Sequence, residues 1–270
     1  MYSSCNFNFG QMEKIMTAFQ KIGVSALSTS SINKFRADPA AWWLSYVAKV
    51  RGATNQNMAR GNAVEVGYDY FWKNEFATVD EAVDEAVKYY NRETALVVGQ
   101  EKRDKERATI EPFVKNTIEA MSKYGTPTSS QNKLEINLEG VSVPVIGYDD
   151  YCFQGDDMPI CLDLKTSHKI PSQMSVPHKR QMSLYQAMRP DHKILICYVS
   201  TKKYAVYELD RAEAEIINQE FKIAAQALER FLTICDDPMD LYKFFAPDYS
   251  SSFYWSDPIT LSEAKRIWGY

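Results

Sequence analysis

At 270 residues, 45% hydrophobic and 13% aromatic, the chain can bury one large core, which excludes disorder and predicts a single domain over residues 1–270. A net charge of −4 excludes a protein that coats nucleic acid indiscriminately, because such affinity comes from neutralised phosphates. A local basic surface beside clustered carboxylates is still compatible with that total. No run approaches the roughly 20 apolar residues of a membrane span, and the opening MYSSCNFNFGQMEK lacks the basic-then-apolar order of a signal peptide, so a cytosolic location away from membranes is expected. Cys5, Cys152, Cys161, Cys197 and Cys235 fall singly along the chain, which points to buried thiols rather than a zinc site or an iron–sulfur cluster.

Residues 1–125 read as mainly helical. Little pattern precedes Ser30 or Ser31, either of which suits the N-cap of a helix through Ile32 and Phe35 that Asp38-Pro39 breaks. An amphipathic piece with Trp42, Trp43 and Tyr46 follows; the tryptophans, at helical spacing from Phe35, read as core rather than as a base-stacking surface. Apolar spacing predicts helices over 58–72, 79–94 and 103–124, with the mixed charges of 101–107 as a solvated face. Residues 131–210 carry the sheet. Strands are predicted over 133–138, 141–153 and 158–165, then a helix from Pro177 to Met188, then strands over 193–200 and 204–209. A long helix over 212–234 and an irregular aromatic tail complete the 211–270 part. The fold class is therefore α/β, a central mixed sheet flanked by helices in the order αβββαβ, with helical embellishment before it.

The chemistry gathers on the hairpin. If Phe153 closes against Ile160 across the polar turn Gln154 to Asp157, Asp150 falls opposite Asp163. Directly opposed side chains have Cβ atoms roughly 4.5–5.5 Å apart, and two like charges at that distance need neutralising, which a divalent cation does. Strand alternation puts Asp163 and Lys165 on one face and Ile160, Leu162 and Leu164 on the other. Two carboxylates plus a backbone carbonyl, that of Leu164, form the hard oxygen set that Mg²⁺ or Mn²⁺ prefers, and a lysine beside them can stabilise charge on a phosphorane or position the attacking water. Asp149, on the other strand face, reads as structural or solvated. Gln181 and Tyr185, one turn apart on the following helix, can reach the same sheet edge. His168, His178 and His192 show no metal-ligand spacing, although His178 lies one turn before Gln181, where it can meet DNA.

Gly147-Tyr148-Asp149-Asp150, Asp163-Leu164-Lys165 and Gln181 through Tyr185 resemble, in order and rough spacing, the GxxD, DxK and QxxxY motifs of RecB-like and lambda-exonuclease-like PD-(D/E)XK nucleases. Ser28-Thr29-Ser30, then Asp38-Pro39 and Trp43, is similar to the SxS and CP-aromatic segments of RecB-like and Cas4-like members, and Arg60-Gly61-Asn62-Ala63-Val64-Glu65 to their helix motif. The resemblance covers residues ~27 to ~185. Where cluster-bearing relatives have the cysteine of the CP pair, this chain has Asp38, so no iron–sulfur cluster is expected. Glu65 in place of His favours the phage recombination exonucleases.

What the resemblance implies is a nuclease in which Asp150 and Asp163 bind the metal, Leu164 lends its carbonyl, Lys165 assists chemistry, Glu65 holds a second ion, and Gln181 and Tyr185 support. Ser30, Arg60 and His178 are then candidate DNA contacts, with Ser30 as a plain N-cap and Glu65 as a surface carboxylate for the competing readings. The implied reaction is exonucleolytic digestion of linear duplex DNA in recombination or repair, by a homo-oligomer partnered with a single-strand annealing protein. A catalytically silent DNA-binding or protein-interaction module and a structure-specific endonuclease are the alternatives.

Overall fold

The computed structural model describes residues 16–250 and 253–269; Cys5 lies outside them. The short helix α1 (Ala18–Lys21) leads through an extended segment into α2 (Thr29–Ala37) and α3 (Pro39–Tyr46). Asp38 ends one and caps the next: its β-region backbone stops α2, its Oδ1 accepts from Ala41 N–H, and Pro39 opens α3. Ser28, not Ser30 or Ser31, caps α2, accepting from Ser31 N–H. The run Ser28 to Ser31 offers four similar side chains, and a backbone pairing decides between them: Leu27 N–H bonds the Pro144 carbonyl and its own carbonyl accepts from Ile146 N–H, which keeps the chain extended up to Ser28.

Helix α4 (Gln56–Lys73) packs with α5 (Val79–Glu93) and α7 (Ile110–Ser122). The expected single helix over 103–124 is two, α6 (Gln100–Arg107) and α7, with the break at Ala108-Thr109. There the Thr109 hydroxyl bonds back to the Glu106 carbonyl, while Glu106 turns inward to a buried partner described below. The sheet follows as β1 (Ser129–Ile136), β2 (Val145–Phe153), β3 (Ile160–Thr166), β4 (Lys193–Val199) and β5 (Tyr204–Glu208), in that spatial order. Neighbours are antiparallel except β3 and β4, which are parallel and joined by the crossover helix α8 (Val176–Met188). Strand β2 starts four residues later than expected, after Pro144, which has no N–H to give a ladder.

Both sheet faces are covered. Tyr151, Phe153, Leu162, Leu164 and Cys197 pack against α4, α5 and α7. Cys152, Cys161, Ile194 and Ile196 pack with Met182 and Tyr185 of α8. A third cluster joins α2, α3 and α9 (Arg211–Phe231), with Trp42 and Trp43 fully buried in it. The tail is not irregular: after two 3₁₀ turns, helix α10 (Pro258–Trp268) forms with Asp257 as N-cap and Pro258 in its first turn. Among the described residues no helix is long and apolar enough to cross a membrane.

Candidate active site

The β2–β3 register pairs Phe153 with Ile160, Cys152 with Cys161 and Tyr151 with Leu162. Asp150 and Asp163 come next in that register, one step beyond the last paired residues, where the strands part. The gap is bridged by Asp150 itself, whose Oδ2 accepts from Leu164 N–H at 2.7 Å in place of a backbone partner. Opposite Asp150 in β1, Gln131 adopts a left-handed backbone, φ 54°, and its side-chain amide lies 3.4 Å from Asp150 Oδ1. That distorted β1 residue carried no sequence signal. Cys152 and Cys161, on the two strands of the hairpin, face each other two steps below the two aspartates.

Asp163 is almost fully buried. Its Oδ1 accepts from Gln181 Nε2 at 2.8 Å, and its Oδ2 makes an ion pair with Lys165. That ion pair lacks hydrogen-bond geometry at Oδ2. The Lys165 ammonium also sits 3.4 Å from the Leu164 carbonyl oxygen. Gln181 donates to the Tyr185 hydroxyl at 2.8 Å, and Tyr185 donates to the Tyr148 carbonyl at 2.5 Å, so α8 is tied to β2 through the site. The close approach needs Gly147: a Cβ there would stand 2.7 Å from the Tyr185 ring. Asp150, Asp163, Leu164, Lys165, Gln181 and Tyr185 are thus brought together.

Electrostatics follow from burial. Asp150 is pushed up to about 7, first by burial and then by the charge of Asp163. Glu65, half-buried on α4, is pushed up to about 8 by burial and then by the charge of Asp150, which puts it in the same electrostatic neighbourhood. Asp163 is raised by burial, against which Lys165 pulls it down. Burial alone would push Lys165 down, yet Asp163 and Asp150 outweigh it and hold the ammonium well above its ordinary value. Three carboxylates and one ammonium therefore share too little water, and protons make up part of the missing charge.

The three candidate DNA contacts differ. Ser30 is exposed in the first turn of α2, with its hydroxyl 2.9 Å from that of Ser28. His178 lines one cavity with Ser30; its Nδ1 is 2.5 Å from the Tyr198 hydroxyl, and burial followed by the charge of Lys165 lowers it to about 4. Arg60 is 4% exposed and is committed elsewhere: it bonds Glu106 Oε2 at 2.5 Å, meets His168 Nε2 at 2.8 Å, and lies over the Phe113 ring. Its 3.4 Å contact to Thr166 Oγ1 ties α4 to the end of β3. This pairing makes Arg60 a support for the strand that carries Asp163 and Lys165. Asp149, fully buried rather than solvated, takes Arg189 in two contacts and Asn132.

Among the described residues no three His, Cys, Asp or Glu side chains form a ready ligand set for a metal ion. The oxygens present still fit a hard cation. Asp163 Oδ2 and the Leu164 carbonyl already draw one cationic group, the Lys165 ammonium, and Asp150 and Glu65 hold back charge that a divalent ion would release.

Comparison with known proteins bears on the same segment. The family model of the PD-(D/E)XK nuclease superfamily matches residues 26–237. None of the curated proteins compared matches the chain. The crystal structure of SSO0001 is similar at 15% identity over 80% of this chain and 96% of that one, with a TM-score of 0.34. The matched residues run from the strand-like segment before α2 to beyond α9 and take in every residue of the site just described. The chain belongs to the PD-(D/E)XK nuclease superfamily.

Proposed function

We propose that this protein is a metal-dependent deoxyribonuclease, working as an exonuclease on the ends of linear duplex DNA in recombination or repair. The observation that carries the reading is the Lys165 ammonium resting on Asp163 and beside the Leu164 carbonyl, in a site that a cation suits. Asp150, Asp163 and the Leu164 carbonyl would hold Mg²⁺ or Mn²⁺, with Glu65 able to serve a second ion. When bound, the metal supplies Lewis-acid stabilisation of the phosphate and a more acidic water.

The chain's own residues do the rest. Lys165, held charged by its aspartates, meets the negative charge that grows on the non-bridging oxygens as water attacks phosphorus and the bond to the leaving oxygen breaks. Gln181 fixes the orientation of Asp163, and Tyr185 holds Gln181 in turn. The Arg60–Thr166 contact steadies the strand end from the α4 side. A homo-oligomer beside a single-strand annealing protein suits an enzyme of this kind.

Incubation with linear duplex DNA and Mg²⁺ or Mn²⁺ tests the reading. Wild type should degrade it from the ends, and Asp163→Ala should not. Equal loss of linear and covalently closed circular DNA would make the protein an endonuclease, and intact substrate with both proteins and both metals would remove the enzymatic reading.

A further inference from the structure

Beside the carboxylates lies a groove that none of the catalytic residues explains. Its cavity of about 740 Å³ runs between the first turns of α2 and α8, and Gln181 and Tyr185 form the wall it shares with the catalytic site. A second cavity of about 360 Å³ shares Lys34, Met58 and Phe253 with it and continues to Arg51. The path therefore starts at Gln181, which bonds Asp163, and leads away over one continuous surface.

Two features mark that surface. The first is charge. Against 35 acidic and 31 basic residues overall, no carboxylate lines the larger cavity, and the one lining the smaller, Asp257, is engaged as a cap for Ala53 and Thr260. Lys34 and Arg51 face this path, and burial, then the charge of Arg51, pushes the Lys34 ammonium down, so an anion between them relieves their repulsion. The second is exposed apolar surface. Phe253 is 80% exposed, Met58 59% and Tyr148 48%, and all three border the groove. Trp42 and Trp43, the tryptophans weighed in the sequence as a base-stacking surface, are buried in the core.

Resting on the nuclease reading above, we propose that this groove is the path of an unpaired DNA strand, whose bases stack on Phe253, Met58 and Tyr148 while Lys34 and Arg51 take its phosphates. Stacking needs base faces, and a paired duplex keeps its faces covered and shows only edges and backbone. The larger cavity has the size of those that enclose one small molecule, which suits one or two nucleotides and not a double helix. The strand delivered to Asp150 and Asp163 is therefore single at the scissile phosphate, and a duplex must fray or carry a tail to be cut.

Fluorescence anisotropy with EDTA present, so that nothing is cut, tests this with labelled oligothymidylate, a blunt duplex and the same duplex with an unpaired tail. Wild type should bind oligothymidylate and the tailed duplex at least about tenfold more tightly than the blunt one, and Phe253→Ala should lose about tenfold on oligothymidylate. Met58→Ser should act in the same direction, and Arg51→Gln should lower the salt dependence by about one phosphate's worth. Equal affinity for blunt and tailed duplex, or an oligothymidylate affinity untouched by both Phe253→Ala and Met58→Ser, overturns the proposal. Hydrolysis of bis(p-nitrophenyl) phosphate by wild type with Mn²⁺, a substrate without bases, reads the nuclease function separately. Strand binding through Phe253 without hydrolysis would leave the groove and remove the nuclease; hydrolysis with no effect of the two variants would do the reverse.

Discussion

Replacing Asp150 with asparagine removes an ionisable group from a site that resists ionisation, and the metal-free protein should gain stability at alkaline pH. Asp150 titrates at about 7 in the fold against 3.8 in the unfolded chain, so the native state keeps a proton that the unfolded state has lost. Stability therefore falls as pH rises from about 4 to about 7 and stays low above that. At about 1.4 kcal/mol per pH unit, a shift of about 3 units gives an upper figure near 4 kcal/mol; sharing of charge with Asp163 and Lys165 brings it to about 2–4. The asparagine carbonyl can still accept from Leu164 N–H. Urea unfolding with EDTA present should show Asp150→Asn more stable than wild type by that amount at about pH 9, with the gap closing toward about pH 4. Excess Mn²⁺ should reverse the order, adding about 2.7 kcal/mol to wild type at a hundredfold excess over its Kd and nothing to the variant. A variant less stable than wild type at about pH 9 without metal, or a gap that does not depend on pH, refutes the reasoning.

Gly147→Ala should push the Tyr185 ring off the Tyr148 carbonyl and Gln181, costing about 1–3 kcal/mol in urea unfolding and lowering DNA hydrolysis along with it. Arg189→Ala strips the buried Asp149 of its counter-charge and should cost about 3–5 kcal/mol, most of it recovered when Asp149→Asn is added. His178 works in the opposite direction from Asp150: its folded value of about 4 lies below the ordinary 6.5, so the native state binds fewer protons and stability rises with pH across that window. His178→Gln should flatten the rise, read as the urea midpoint between those two pH values.

The hairpin was legible because its register depends on local features: a short polar turn and strict alternation leave one pairing, and Phe153 with Ile160 then carries Asp150 and Asp163 to neighbouring places. The same pairing implied the Cys152–Cys161 contact, which sequence spacing alone had hidden. Helix α8 was legible from Pro177 and the motif it carries. Helix α10 had a readable start in Asp257-Pro258, the same pair of signals as Asp38-Pro39, masked by the aromatic residues around it. What escaped reading depends on partners distant in the chain. Arg60 looks like a surface cation until Glu106, 46 residues on, arrives across the α4–α6 packing. Asp149 looks solvated until Arg189 covers it, 40 residues on.

Those two buried ion pairs and the active site solve one electrostatic problem in different ways. Asp149 and Glu106 are each given a guanidinium with fixed geometry, in buried structural ion pairs. Asp150, Asp163 and Glu65 share one flexible ammonium among three carboxyl groups, and burial raises all three. A core built for stability alone would have satisfied them as it satisfied Asp149. The shortfall of positive charge at this single place, next to an acid-free groove, is what distinguishes a site held ready for a divalent ion and a phosphate from an ordinary buried salt bridge.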